Sequence, residues 1–383
     1  MKILLLGEFS NVHNTLAEGL RKLGHDVTVA SDGDNWKDYP RDIDLKRYNI
    51  SFGATAAFMK KLARALPQMV GYDVVQLINP VFLPLKAQKI APIYRFLRKH
   101  NRSMFLGAFG MDHFWVKAGL NCKTFRYSDF NLGDTERHDG ENDIWISEWG
   151  TGAKGRLNCR IAENCDGIIA GLYEYYASYE PYFSDKLCFI PFPINLDTIT
   201  PKSTEPHDKV RFFIGIQKAR SAYKGTDIML RALERIVRDF PDKAEMVKAE
   251  SVPFAQYQNM MNGSDVILDQ LYSYTPAMNA LLAMAKGLIV VGGGEEENYE
   301  ILHETELRPI INVLPDEESV YAALRDLALH KERTDELSRQ SVEYIKRHHD
   351  CVKVAKRYLD FWKQQTEKKK LMSKGPVAGG MSL

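Results

Sequence analysis

The stretch "KILLLGEFSNVHNTLAEGLRKLGHDVTVAS" (Lys2–Ser31) decides how the rest of the chain is read. Its unbroken apolar start has the pattern of a strand covered on both faces rather than one with a wet side. A polar loop, "EFSNVHN", leads into "TLAEGLRKLG", which is helical in period and stops at Gly24; "HDVTVAS" then returns as a strand. A strand, loop, helix and strand in this order open a parallel α/β sheet.

The alternation continues outward from there. "DVVQLINP" (Asp73–Pro80), "RSMFLGAFG" (Arg102–Gly110) and "DGIIAG" (Asp166–Gly171) read as buried strands, and "RLNCRIAENC" (Arg156–Cys165) as a helix. Pro191, Pro193, Pro201 and Pro206 then crowd a polar window, the composition of a domain boundary. Beyond it the pattern restarts with "VRFFIGI", "GTDIMLRALERIVRDF", "SDVILDQL", "PAMNALLAMAKG" and "LIVVGGG". The expected fold is therefore α/β with two doubly wound Rossmann-like domains: residues 1–195 first, residues 196–349 second. A last helix, 350–366, sets Cys351, Val354, Ala355, Tyr358, Leu359 and Trp362 on one face, and residues 367–383 read as a tail without structure.

A chain of 383 residues is too long for one core, which agrees with two domains. The net charge of +1 argues against a nucleic-acid partner, and any anion must be held by a local site. Five cysteines without a C-x-x-C pair indicate neither zinc nor a redox motif. "ILLLG" runs straight into Glu8, too short for a signal peptide or a membrane span. The expected location is the cytoplasm, with a peripheral contact to the inner face of the cell membrane as an alternative for the tail's lysines. The oligomeric state is open.

Ligands of open α/β sheets sit beyond the carboxyl ends of the strands, where helix N-termini offer free N–H groups. Three segments of the second half fit that place. Arg220 and Lys224 lie between "FFIGI" and a helix, a fork and a point charge suited to a diphosphate. Thr275 and Pro276 read as N-cap and first residue of a buried helix. Gly292, Gly293 and Gly294 follow a strand and leave backbone amides open to a ligand. A P-loop is absent, and Gly7 stands without the other glycines of G-x-G-x-x-G. Asp32 and Asp34 form a D-x-D that reads as a turn rather than a metal site.

These segments, in this order, resemble the large family of retaining GT-B glycosyltransferases that use nucleotide-diphosphate sugars, which includes many capsule and lipopolysaccharide enzymes. The likeness runs from Met1 to about Trp362 and is carried by the opening stretch, "CDGIIAG", "DKLCFIPFPINLDTITP", "KGTDIMLRAL" and "SDVILDQLYSYTPAMNALLAMAKGLIVVGGG". It implies two domains facing each other across a cleft, a terminal helix crossing back to the first, no cofactor and no metal, and a nucleotide sugar and a glycan or lipid-linked acceptor as partners. It gives Arg220 and Lys224 to the donor diphosphate, with Lys218 competing for the arginine's role.

The likeness also implies a glutamate pair, one near the donor sugar and one on the ribose, where this chain has Tyr274 and Leu282. Asp269, Asn279, Glu295, Glu296 and Glu297 are the candidate substitutes, and Glu300 stands where the family keeps an acid. Asp112 and His113 in "GMDHFW" are the candidate catalytic residues, and Asn11 and His13 the candidate acceptor contacts. The implied reaction is metal-independent sugar transfer to a hydroxyl with retention. The alternatives are a catalytically silent nucleotide-sugar-binding or scaffolding subunit, motivated by the missing glutamates, and a sugar-nucleotide epimerase.

Overall fold

The computed structural model describes residues 1–373 except 50, 139, 204, 218, 219 and 253. Lys218 and the last ten residues of the tail lie outside the described residues. Strands β1 (Lys2–Leu6), β2 (Asp26–Ser31), β3 (Ile43–Asp44), β4 (Val74–Leu77) and β5 (Ser103–Ala108) alternate with helices α1 (Val12–Lys22), α2 (Phe52–Ala65) and α3 (Ala87–His100). After α4 (His113–Leu120) the chain makes an arm: a short hairpin of β6 (Asn131–Leu132) and β7 (Thr135–Glu136), then α5 (Gly140–Trp145) and a π-helical turn. It returns through α6 (Ala153–Asn164), β8 (Gly167–Ala170), α7 (Tyr173–Phe183) and β9 (Leu187–Phe189).

The first sheet runs β3-β2-β1-β4-β5-β8-β9 and is parallel throughout. Ile3, Leu4, Leu5 and Leu6 are fully buried because β1 lies inside this sheet with helices on both faces. Each such side chain contributes about 1.5–3 kcal/mol by leaving water.

The second sheet, also parallel, runs β11-β10-β12-β13-β14, formed by β10 (Val210–Ile216), β11 (Ala244–Glu250), β12 (Val266–Leu268), β13 (Ile289–Gly292) and β14 (Ile311–Asn312). Its helices are α8 (Ser221–Lys224), α9 (Thr226–Asp239), α10 (Phe254–Asn262), α11 (Met278–Ala285), α12 (Glu296–Leu302), α13 (Glu317–Leu329) and α14 (Arg333–His348). The two sheets face each other across a cleft, as expected.

The last helix, α15 (Cys351–Ser373), does cross back to the first domain. It lies against α1 so closely that a Cβ on Gly19 would stand 2.2 Å from the Cys351 carbonyl oxygen. Trp362 is fully buried, and its indole N–H donates to Gln76 Oε1 at 3.2 Å, which explains a glutamine inside a buried strand. The tail departs from expectation: α15 continues to Ser373, anchored by Lys368 on the Asp185 carbonyl and Lys369 on Asp166. Two passes join the domains and touch, with Ile194 N–H donating to His349 O and Cys351 N–H to Ile194 O. Among the described residues no helix is long and apolar enough to cross a membrane.

Candidate functional site

A cavity of about 970 Å³ lies between the domains at the carboxyl ends of both sheets. The second domain lines it with Gly215, Ile216 and Gln217 at the end of β10, Ala249, Ser251 and Val252 at the end of β11, Asp269 after β12, and Met278, Asn279 and Leu282 on α11. The first domain contributes Ser10 and Asn11 before α1 and a loop including Asp34, Trp36, Lys37 and Tyr39.

Arg220 and Lys224 both reach this cavity, at the two ends of α8. The Arg220 guanidinium lies 3.3 Å from Glu141 Oε1 of the arm and packs over Tyr223. Burial lowers the pKa of the Lys224 ammonium, an effect the Asp269 carboxylate opposes; burial likewise raises that of Asp269. A desolvated ammonium facing a cavity gains most from an arriving anion. Asp269 Oδ1 accepts from Asn279 Nδ2 at 3.0 Å, and Asn279 Oδ1 accepts from the Tyr257 hydroxyl at 3.1 Å. Of the candidate glutamate substitutes, Asp269 and Asn279 therefore enter the cavity. Leu282 lines it with an apolar surface.

The start of α11 differs from expectation. The helix begins at Met278 with Ala277 as N-cap and no capping side chain, so its first N–H groups lack a side-chain partner. Thr275 and Pro276 precede it in a buried turn held from the first domain. Glu174 Oε1 accepts from the backbone N–H of Tyr274 at 2.6 Å and of Thr275 at 3.1 Å, while Oε2 accepts from the Thr275 hydroxyl at 2.5 Å. Pro276 therefore does not line the cavity.

Gly292, Gly293 and Gly294 do not reach it either, because the turn is packed against protein. A Cβ on Gly293 would stand 2.2 Å from Ser273 O and one on Gly294 2.5 Å from Ile310 Cγ2, and Gly294 N–H is taken by Asn312 Oδ1. Tyr274 is buried in an interdomain cluster, stacked on Tyr173 at 5.9 Å and accepting the Arg126 backbone N–H at 2.7 Å. Glu295 and Glu297 pair with Arg126 at 2.9 and 2.5 Å, and Glu295 also accepts from the Tyr127 hydroxyl. They latch the arm rather than face a donor. Glu296 pairs with Arg308 at 3.1 Å, and Glu300 is exposed on α12.

The first-domain candidates divide. Asn11 lines the cavity in a left-handed conformation, φ 70°, and donates to Thr15 Oγ1. His13 is buried beneath it, with Nδ1–H donating to Gly7 O at 2.8 Å, and burial lowers its pKa to about 3. Asp112 caps α4, accepting from Trp115 N–H at 2.9 Å and the Tyr179 hydroxyl at 2.8 Å, and burial raises it to about 7. His113 Nδ1–H donates to Trp149 O, and its backbone N–H donates to Asn158. Both are engaged within the first domain and neither lines the cavity, so the structure does not bring this expected catalytic pair to it.

Sequence reasoning missed Trp36, Lys37, Tyr257 and Lys286, all of which line the cavity. The strand-end rule would have flagged the first two, since "DGDNWK" directly follows β2. The arm gave no periodic signal. Asp34 serves as a turn residue, accepting from Ser10 N–H at 2.8 Å and Lys37 at 2.6 Å. Among the described residues no group of three or more His, Cys, Asp or Glu side chains could hold a metal ion.

No family model and no curated protein sequence matches the chain. Solved structures do match its fold, the paired-Rossmann GT-B architecture. Sucrose-phosphate synthase of Thermosynechococcus elongatus superposes with a TM-score of 0.62 at 13% identity, over 96% of this chain and all of that one. Anabaena HepE, solved with UDP-glucose, gives 0.58 at 12% identity over 95% and 100%. A chain from Listeria monocytogenes assigned as a UDP-N-acetylglucosamine 2-epimerase gives 0.57 at 12% over 96% and 98%.

Proposed function

We propose that the chain is a glycosyltransferase that moves a sugar from a nucleotide-diphosphate donor to a hydroxyl of a glycan or lipid-linked acceptor, with retention. The observation that carries this reading is the meeting of Arg220, Lys224 and the uncapped first turn of α11 at one wall of the interdomain cavity. As the bond from sugar to phosphate breaks, negative charge grows on the leaving diphosphate, and cations held in a low-dielectric cavity stabilise it. Lys224 acts by charge and Arg220 by its fork once Glu141 yields to the diphosphate. The leaving phosphate takes the acceptor proton, so no side-chain base is invoked. Asp269 and Asn279 take the sugar or ribose hydroxyls, the roles left open by Tyr274 and Leu282. Asn11, Trp36 and Lys37 bound the acceptor side. The structures of HepE with UDP-glucose and of a sucrose-phosphate synthase on the same fold are consistent with this reading.

Thermal shift against the diphosphates of uridine, guanosine and adenosine and their sugars tests it. At least one raises the melting temperature, since a ligand at a hundred times its Kd adds about 2.7 kcal/mol. Lys224→Ala loses that shift and the accompanying turnover while melting at a similar temperature without ligand. A flat response to every nucleotide would sink the proposal. A second reading, a silent nucleotide-sugar-binding subunit, is favoured by Leu282 in the cavity wall and by the consumption of Tyr274, Glu295 and Glu297 in the domain contact. It predicts the thermal shift without turnover; an epimerase predicts interconversion of the donor without an acceptor.

A further inference from the structure

Between Leu45 and Met111 the chain carries 11 Lys and Arg residues and one acid, Asp73, although the whole chain has a net charge of only +1. The charge is therefore segregated. This segment contains α2 and α3, which connect β3 to β4 and β4 to β5 in the same direction across the sheet. Right-handed crossovers place such helices on one face, the face opposite α1. Lys60, Arg64, Lys86, Lys89, Arg95 and Lys99 are exposed, and among the described residues none of the six makes an ion pair.

Large apolar side chains accompany these cations. Phe52 is 92% exposed, Tyr48 81%, Met59 38% and Phe96 37%. A face for nucleic acid alone needs cations and has no use for an exposed Phe and Met on helices. A bilayer uses both, with cations meeting headgroup phosphates while apolar and aromatic side chains enter the interface. The tail lysines that the sequence offered for lipid are in part engaged, Lys368 on a carbonyl and Lys369 on Asp166.

We propose that the α2–α3 face of the first domain binds an anionic lipid bilayer. Tyr48 and Phe52 lie where β3 ends and α2 begins, at the carboxyl end of the sheet, which also carries Trp36 of the cavity. Docking there sets the mouth of the cavity beside the membrane surface. The proposal does not require sugar transfer.

The test is co-sedimentation of the full chain, without nucleotide, with vesicles of phosphatidylcholine alone or with about one-third phosphatidylglycerol. The chain pellets with the anionic vesicles only, and raising the salt from about 0.1 to about 0.5 M releases it. Two multiple variants, Tyr48→Ser with Phe52→Ser, and Lys60→Glu, Arg64→Glu, Lys89→Glu with Arg95→Glu, each weaken binding about tenfold or more at unchanged circular dichroism. Lys224→Ala pellets like the parent, which separates this proposal from the donor site. Absence of pelleting, equal binding to both vesicles, or full binding by folded variants overturns it. So does binding to duplex DNA that Phe52→Ser leaves intact and that displaces the vesicles, because the face would then belong to nucleic acid.

Discussion

His13 and His349 sit in the core with one ring nitrogen each committed, Nδ1–H donating to Gly7 O and to Phe192 O. Burial lowers both to about 3 from 6.5. The unfolded chain therefore takes up protons below pH 6.5 that the fold refuses, so stability falls as the pH drops from 6.5 toward 3. Glu8, raised to about 8 by burial, which the N–H donors of Asn14 and His13 only partly oppose, works in the opposite sense. Its contribution is complete below 4.5 and is lost progressively as the pH rises from there through about 8. Urea unfolding across a pH series checks both. His349→Gln, neutral at every pH, flattens the acid limb by up to about 1.4 kcal/mol per pH unit, and Glu8→Gln removes a decline in stability that runs from 4.5 to about 8. Unchanged slopes in both variants would refute the assignment.

At the scale of elements, the arm between α4 and α6 and the carboxylate of Glu174 hold the domains together by different physics. Glu174 is buried and serves two backbone donors and one hydroxyl of the turn before α11. Arg126, with a side chain 56% exposed, pairs with Glu295 and Glu297 near solvent. Leaving buried donors unpartnered costs about 1–3 kcal/mol, whereas an exposed ion pair is worth about 0–1 kcal/mol. Glu174→Ala is therefore expected to destabilise by about 1–3 kcal/mol or more, and Arg126→Ala by under about 1 kcal/mol, in denaturant melts. The reverse order would show that the latch, and not the buried carboxylate, holds the cleft. The linker divides similarly. Asn195 and Asp197 are tied to Lys22 of α1, while Thr200, Lys202 and Ser203 bond to Lys286 and Asn262 of the second domain. Ile199 lies between the two sets, so closure of the cleft is expected to pivot there.

For the whole molecule, α15 makes the first domain depend on the far end of the chain. Trp362→Ala removes a fully buried indole and leaves Gln76 Oε1 without its donor, at a cost of about 3–5 kcal/mol. The loss should appear as faster hydrogen exchange in β4 and β5 of the first domain. Exchange that rises only in the second domain would show that α15 does not carry this load.

Much of this architecture was legible in the chain itself, because a parallel sheet covered on both faces writes continuous apolar runs separated by amphipathic helices. "ILLL", "VRFFIGI" and "LIVVG" became β1, β10 and β13, and the stripe ending at Trp362 found its partner in α1. Local position likewise brought Arg220 and Lys224 to a strand end without knowledge of the fold. What only the tertiary structure decided was which polar groups are spent on packing within and between the domains. Asp112, His113, Tyr274, Glu295, Glu297 and the Gly292–Gly294 turn have the chemistry of a site. Their hydrogen bonds and packing partners come from segments distant in sequence, or from the cap and turn they close. Hydrogen-bonding capacity belongs to a residue type, but the partner that satisfies it is set by three-dimensional packing, and no local pattern encodes that choice.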